Sequence, residues 1–499
     1  MPLSLVLIPF FGALACSILR DRPVVIAGQL TAIATFVLGA WLALSPNGLA
    51  MGTSTLGGWP LPLGIGQRVD GLSTIFLLLS TTTGGLVSLY AGTYYPALKE
   101  PYRAYRGANH FWPLWLLLWG GLHALFLASD VFNAYILLEV VGLSSVALTT
   151  LSGRTPALTA ALRYLVAAMV GSMVFLLGVV LLYGEYGMLD VPMLSEHIAP
   201  SLPTAAAFGL LLFGLLLKTA LLPFHFWLPS AHGNATPPVS AILSGLVIKG
   251  SFYLILRVWF EVFRITITPG PALLLGMLGA LAILWGSYQA LRQKRLKLLV
   301  AHSTVGQIGY LFLLFPLTRP VPGLAGDPPW VLQAWTGGIC QVVAHTAAKS
   351  AMFLAVGNII HALGSDRIDS LREIAGRMPM TTFTLALSGV SLMGLPPSGG
   401  FVAKWMTLNA VISSGQWWWI PVIVAGGLLT AGYVFLMLSY AFTPALESIE
   451  LQPVPRIMES SALVLALLGI LIGFRADELI SLLQGSPMVA PLLPSGDLP

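Results

Sequence analysis

Charge is what this 499-residue chain has least of: Asp, Glu, Lys and Arg together make up 9% of it, against about 25% in an ordinary soluble domain. So little charge excludes a water-solvated globule and leaves lipid as the main solvent. Cysteine is nearly missing as well. The two present, Cys16 and Cys340, lie in apolar runs with no CxxC or Cys/His spacing, which argues against a disulfide framework or a thiolate metal site. His225 and His232 have neither an HExxH pattern nor carboxylate companions, so no metal is expected there either. A GxxxxGK[ST] phosphate loop, a strand-borne GxGxxG, a serine nucleophile elbow and CxxCH are all missing. Nucleotide-driven pumping, dinucleotide binding, serine hydrolysis and covalent haem are therefore not encoded, and no cofactor is expected.

What is abundant is apolar sequence. Hydrophobic residues make up 57% of the chain and the mean hydropathy is +0.86. Apolar runs of roughly 17–24 residues match the thickness of a bilayer. The fold class expected is an all-α polytopic membrane protein with about fourteen spans, near 3–19, 24–44, 72–91, 112–129, 131–151, 162–184, 205–222, 237–258, 272–291, 298–316, 332–353, 381–413, 419–441 and 459–473. The run from Leu3 to Leu19 is kept as the first span, because no basic stretch precedes it and Arg20-Asp21-Arg22 is no cleavage site. The Pro- and Gly-rich tail, 474–499, reads as irregular.

Basic residues accumulate on the cytoplasmic side of membrane proteins. Taking alternate connections, fifteen Lys and Arg fall on one side (Arg20, Lys99, Arg154, Lys297 and Arg377 among them) and five on the other, Arg68, Arg257, Arg264, Arg319 and Arg475. Both termini are then expected outside. The remaining four of the 24 basic residues are Lys218, Lys249, Lys349 and Lys404, each within a span. None is an arginine. Lysine can shed its proton when buried, whereas arginine in practice cannot, so the choice favours titration over fixed charge.

The chain is organised around GLLLKTALLPFHFWLPSAHGNATPPVSAILSGLVIKG, Gly214 to Gly250, which sets Lys218 in one apolar run and Lys249 in the next. A lysine at membrane depth usually marks an ion or proton path. The Pro223 region breaks the seventh span after Lys218, and Leu395-Pro396-Pro397-Ser398-Gly399-Gly400 breaks the twelfth before Lys404. Such breaks free carbonyls and amides, tolerated only inside protein or beside water. An interval of five spans reverses the direction of crossing, so spans 4–8 and 9–13 read as two inverted five-helix repeats. The organisation expected is 1–111 for the first three helices, 112–258 and 259–441 for the two units, and 442–499 for the last helix and tail.

Glu139 is the one acid near the centre of a span, and Lys218 is its preferred partner, since a paired buried charge is less unfavourable than a lone one. Snorkelling to the interface is the competing account of Lys218, and harder for mid-span Lys249. His345 and Lys349 stand four residues apart on one helix face, an arrangement suited to proton relay, though a satisfied core histidine is the plainer account. His225, His232, Ser303 and Gln307 are candidates for lining a water path; interfacial anchoring explains them equally well. The basic run 292–297 fits a cytoplasmic loop rather than a nucleic-acid site, and 365–377 reads as a short surface helix.

At YILLEVVGLSS, KTALLPFHFWLPSAHGNATPPVSAILSGLVIKG, RLKLLVAHSTVGQIGY, AHTAAKSAMF and LMGLPPSGGFVAKW the chain resembles the antiporter-like membrane subunits shared by respiratory complex I, membrane-bound hydrogenases and Mrp-type sodium/proton antiporters. The resemblance implies a fourteen-helix core of two inverted five-helix units. It implies an ion pair of Glu139 with Lys218, a central lysine at Lys249, and a second half-channel holding His345, Lys349 and Lys404. Gln307 stands where several complex I members carry His, and Lys404 where one carries Glu. Those departures, and the form Ala235 to Ala241, look closer to the Mrp D-type or hydrogenase-type subunits.

The function expected is an ion-translocating subunit of the inner membrane. Protons would enter the first unit, pass Lys249, and move through His345 and Lys349 to Lys404. With no energy source of its own, the chain needs other membrane subunits as partners. The first alternative is a multi-subunit Mrp-type cation/proton antiporter, the second a proton-pumping module of a redox-driven complex, and the third, weaker, a membrane partner of a carbon-uptake complex.

Overall fold

The computed structural model describes residues 2–45, 49, 51–61, 64–98, 101–318, 328–444 and 450–484, with the backbone alone for 101–106. Lys99, Arg319 and the tail beyond residue 484 lie outside the described residues. The chain is mostly helical. Among the described residues, 12 helices are long and apolar enough to cross a membrane, and two further apolar helices, Pro2–Ile18 and Pro379–Met393, are shorter.

The layering follows from which helices meet lipid. In Pro237–Val262 and Pro329–Leu363 the most apolar window is 100% buried inside the protein, whereas in Asp21–Leu44, Trp419–Phe442 and Arg456–Phe474 it is 28–33% buried. The rim helices turn Leu, Ile, Phe and Val outward, as at Leu30, Phe435 and Leu471. The two enclosed helices carry Lys249, His345 and Lys349. Polar side chains are thus concentrated where protein, not hydrocarbon, surrounds them.

Both expected breaks are present. Helix Leu202–Thr219 stops one residue beyond Lys218, where Ala220 takes a left-handed conformation (φ 58°). A cis Leu222–Pro223 bond, a 3₁₀ turn over Phe224–Trp227 and the short helix Leu228–Asn234 follow. Helix Pro379–Met393 ends at Gly394 (φ 80°), and a second segment, Gly399–Ser413, starts at Ser398, whose Oγ accepts the Phe401 N–H at 3.2 Å. Pro396–Pro397, between them, is cis.

Several features were not expected. Residues Gly52–Leu56 and Ile65–Val69 form an antiparallel hairpin across one end of the bundle, with Leu56 opposite Ile65. The eighth span widens into π-turns at Leu243–Val247 and Val258–Val262. Ala476–Gln484, read from sequence as irregular, is a helix with Asp477 and Glu478 in its first turn, where acids oppose the helix dipole. Segment 365–377 is not one surface helix. It holds a 3₁₀ turn, Ile368–Leu371, and a single α-turn, Ile374–Arg377, divided by Glu373 at φ 63°.

Helices Pro269–Leu291 and Leu296–Phe312 approach closely through small residues. A Cβ on Gly279 would sit 2.7 Å from the Gly309 carbonyl oxygen, backbone that cannot yield without separating the helices. Gly209, by contrast, has nothing within 4 Å of where a Cβ would stand. Gly279→Ala is expected to lower the melting temperature of the detergent-solubilised protein, and Gly209→Ala to leave it unchanged or slightly higher, since Ala is the better helix former. Equal melting temperatures for the two variants would contradict this account of the packing.

Candidate functional site

The lysines within the spans find partners inside the protein, one of them a carboxylate and the others neutral groups. Lys218 Nζ lies 2.8 Å from Glu139 Oε1, and Ser172 Oγ also donates to that oxygen. Gly142 lies one turn from Glu139 on the same helix, Val131–Thr149, where a Cβ would stand 3.6 Å from the ammonium. The break after Lys218 leaves the Leu217 carbonyl with a 3.3 Å bond from the Ala220 N–H in place of a regular α-helical one, and Trp227 Nε1 also donates to it at 3.0 Å. Trp227 is itself fixed by stacking on Tyr164 at 4.1 Å.

Lys249 has no carboxylate. Its ammonium donates to the Ser244 carbonyl at 2.6 Å and lies 2.7 Å from His345 Nδ1. The π-turn explains the first contact: one wide turn interrupts the α ladder and exposes carbonyls that side chains then take. Ser244 O receives Lys249, and Gly245 O receives Thr346 Oγ1 at 3.0 Å. The two enclosed helices are therefore tied together at the point where the lysine meets the histidine.

His345 and Lys349 share a face, but they have different partners. Lys349 Nζ turns to Ser303 Oγ and to the Val300 carbonyl, 3.2 Å away. Lys404 Nζ repeats the backbone theme on the second broken helix, donating to Leu392 O at 2.7 Å and Met393 O at 3.0 Å, with the Tyr310 ring centroid at 4.6 Å. Gln307 Nε2 reaches the same Leu392 carbonyl at 3.4 Å, and Gln341 Nε2 donates to Gln307 Oε1 at 3.0 Å. One carbonyl thus joins Lys404 to an amide pair.

Of the remaining candidates, His232 is wholly buried, its ring packed edge-on to Phe353 and neither nitrogen hydrogen-bonded. His225 is half-buried. No group of three or more His, Cys, Asp or Glu that could hold a metal ion occurs among the described residues.

Two groups escaped the sequence reading. Lys297, assigned by position to a cytoplasmic loop, is 4% exposed, and its ammonium donates to the Ala235 carbonyl. Arg257, counted among connecting residues, is 5% exposed and forks onto Asp70 through bonds of 2.6 and 2.7 Å. Glu261 bonds Arg257 as well, Arg68 bridges Asp70 (2.9 Å) and Glu261 (2.6 Å), and Tyr253 Oη accepts from Arg257 Nε at 3.0 Å. The spacing of Arg257 and Glu261, four residues apart on one helix face, was the available signal. This latch joins the hairpin and helix Gly71–Tyr94 to the enclosed helix.

Both the sequence and the fold of this chain match known proteins. Residues 128–430 fit the family model described as "NADH:quinone oxidoreductase/Mrp antiporter, TM". The chain belongs to this family of antiporter-like, proton-translocating membrane subunits. Over 460 residues it is 32% identical to the "NADH-quinone oxidoreductase subunit N" of Desulforudis audaxviator (strain MP104C), covering 89% of this chain and 87% of that one. It is 28% identical to a D-type Na(+)/H(+) antiporter component of Bacillus subtilis (strain 168), covering 78% and 76% respectively. In fold it matches a chain of the membrane-bound sulfane sulfur reductase, an archaeal respiratory membrane complex, with a TM-score of 0.86 at 23% identity over 98% of this chain and 99% of that chain.

Asp70 stands just before its span as the N-cap of Gly71–Tyr94, accepting the Ser73 N–H at 2.9 Å. Burial by itself would raise its pKa, but Arg257, then Arg68 and the Ser73 amide, hold the carboxyl well below the usual carboxylate range. Its contribution to stability is therefore complete above the unfolded value of about 3.9 and is lost only as pH falls through the lowered one. Asp70→Asn should destabilise the protein by about 3 kcal/mol, near the low end for a broken buried pair because Glu261 still neutralises Arg257. The difference in melting temperature from the parent should stay constant between pH 5 and 8; a variant as stable as the parent would show the latch to be dispensable.

Proposed function

We propose that this chain moves protons across the cell membrane along Glu139, Lys218, Lys249, His345, Lys349 and Lys404, as one subunit of a multi-subunit complex. The observation that carries the reading is the 2.7 Å contact of Lys249 with His345, which joins the two halves of the bundle at the only two helices whose apolar windows are wholly enclosed among the described residues. Separating Glu139 from Lys218 would remove the charge that holds that ammonium, and the released proton would pass toward Lys249. His345 would carry it on to Lys349, and Lys404 would be the last lysine. His225, His232, Ser303 and Gln307 would line the water path.

The same reading includes fourteen spans in two inverted five-helix units, with both termini outside. The broken helices at Lys218 and Lys404 support it, although Lys218 precedes its break and Lys404 follows its own. The unit boundaries remain 112–258 and 259–441, with 1–111 and 442–499 flanking them.

For the assembly, the 32% identity to a quinone-oxidoreductase subunit supports a redox-driven complex. The antiporter alternative rests on the 28% identity to the Bacillus subtilis antiporter component and on Lys404 itself. Gentle extraction from the native membrane followed by mass spectrometry separates them. Iron-sulfur or flavin subunits in the purified complex would establish the first; several small hydrophobic proteins alone would establish the second. Lys249→Ala, in the intact complex, is expected to abolish proton transport without changing assembly, measured by dye quenching in membrane vesicles. Transport at the parental rate would remove Lys249 from the path.

A further inference from the structure

The seam where helix Pro379–Met393 packs against Pro329–Leu363 and Arg456–Phe474 holds more polarity than its packing accounts for. Thr381, Thr384, Ser388 and Ser391 follow one another at intervals of three, four and three residues, so they share one face of Pro379–Met393, and all four are buried. The row climbs about 15 Å along the helix. At its start, Thr381 Oγ1 donates to Glu459 Oε1 at 2.7 Å, and Asn358 Nδ2, on the enclosed helix, donates to Thr381 Oγ1 at 3.4 Å. Glu459 is half-buried in the first turn of Arg456–Phe474, at the end of the bundle that carries Arg367, Arg372 and Arg377.

The other end of the row meets the Lys404 site. A Cβ on Gly400 would stand 3.4 Å from Ser391 Oγ, and Lys404 lies one turn beyond Gly400 on the same helix. Its ammonium rests on the carbonyls of Leu392 and Met393, the two residues that follow Ser391. Along the row, Ser388 Oγ, Ser391 Oγ and Asn358 Oδ1 are buried and have no hydrogen-bond partner among the described residues. Buried polar atoms without a protein partner are paired by water. Space lies beside Ser391, because Gly469 presents no side chain where a Cβ would stand 3.7 Å from the hydroxyl. We infer that this seam is a water-filled proton passage joining Lys404 to the basic end of the bundle, with Glu459 as its terminal carboxylate.

The passage rests on the proton-translocating reading above and adds its last segment. The Lys404 ammonium gives a proton to the nearest water, each water passes one on, and the Glu459 carboxylate takes the last and releases it to solution. Lys404 ends neutral, Glu459 returns to the carboxylate, and every water keeps its original number of protons. The hydroxyls and the Asn358 amide orient the waters and exchange no net proton.

Glu459→Gln keeps an oxygen to accept from Thr381 but cannot carry a proton. In membrane vesicles holding the intact complex it is expected to slow proton transport about tenfold or more, with assembly unchanged on native gels. A purely structural role for Glu459 predicts the parental rate. A second measurement does not depend on transport. Ser388→Cys, in inside-out vesicles treated with Ag+, is expected to be protected from later alkylation under denaturing conditions, read by mass spectrometry, because the cation follows water to the thiol. Ala282→Cys, equally buried but in the apolar helix Pro269–Leu291, is expected to stay unprotected. Glu459→Gln at the parental rate, or a Ser388→Cys thiol that Ag+ does not reach, overturns the passage. If either occurs while Lys249→Ala abolishes transport, the general path survives without it.

Discussion

A lysine at membrane depth has to be given something by the protein that lipid cannot give, and most of this architecture can be traced to that requirement. The cost is several kcal/mol for each unshielded charge. Only Lys218 is given a carboxylate. Lys249 and Lys404 are given main-chain carbonyls, and those carbonyls are free because the helix bearing them is widened at Leu243–Val247 or broken after Met393. Lys349 has the Val300 carbonyl and a serine hydroxyl. Irregular backbone is itself unfavourable in hydrocarbon, so the helices carrying it sit inside a rim of regular ones.

The same logic accounts for the hairpin end. Arg257 continues the helix that carries Lys249, and its forked bonds to Asp70 fix that helix against the start of Gly71–Tyr94. Tyr253, which accepts from Arg257, donates in turn to the Phe126 carbonyl at 2.7 Å. A helix weakened by two π-turns is thereby anchored beside its second one. Rigidity at one end and wide turns in the middle place Lys249 where His345 can meet it.

Much of the candidate site was legible because charge is so scarce. Glu139, Lys218, Lys249, Lys349 and Lys404 stand out in apolar sequence, and the two breaks announce themselves through proline and glycine. What could not be read was partnership over long sequence distances. Lys249 and His345 are 96 residues apart, and nothing local pairs them. Counting charges by position did not reveal that Arg257 and Lys297 are buried, since the rule knows where a residue falls along the chain and not which way its side chain turns. The π-turn at Leu243–Val247 is tied to Pro329–Leu363 by the Gly245–Thr346 bond, a long-range contact that local sequence does not announce, and the hairpin 52–69 lacks the alternation that marks a strand.

One carboxylate among four lysines has an electrical consequence. A membrane interior with equal numbers of acids and bases could fill and empty with little change in net charge, but here every proton taken up beyond the first ammonium is uncompensated. In the proposed reading the core behaves as a small capacitor: it resists double loading, so protons must cross one at a time. Its occupancy also becomes sensitive to membrane voltage, which is worth about 2.3 kcal/mol per charge per 100 mV.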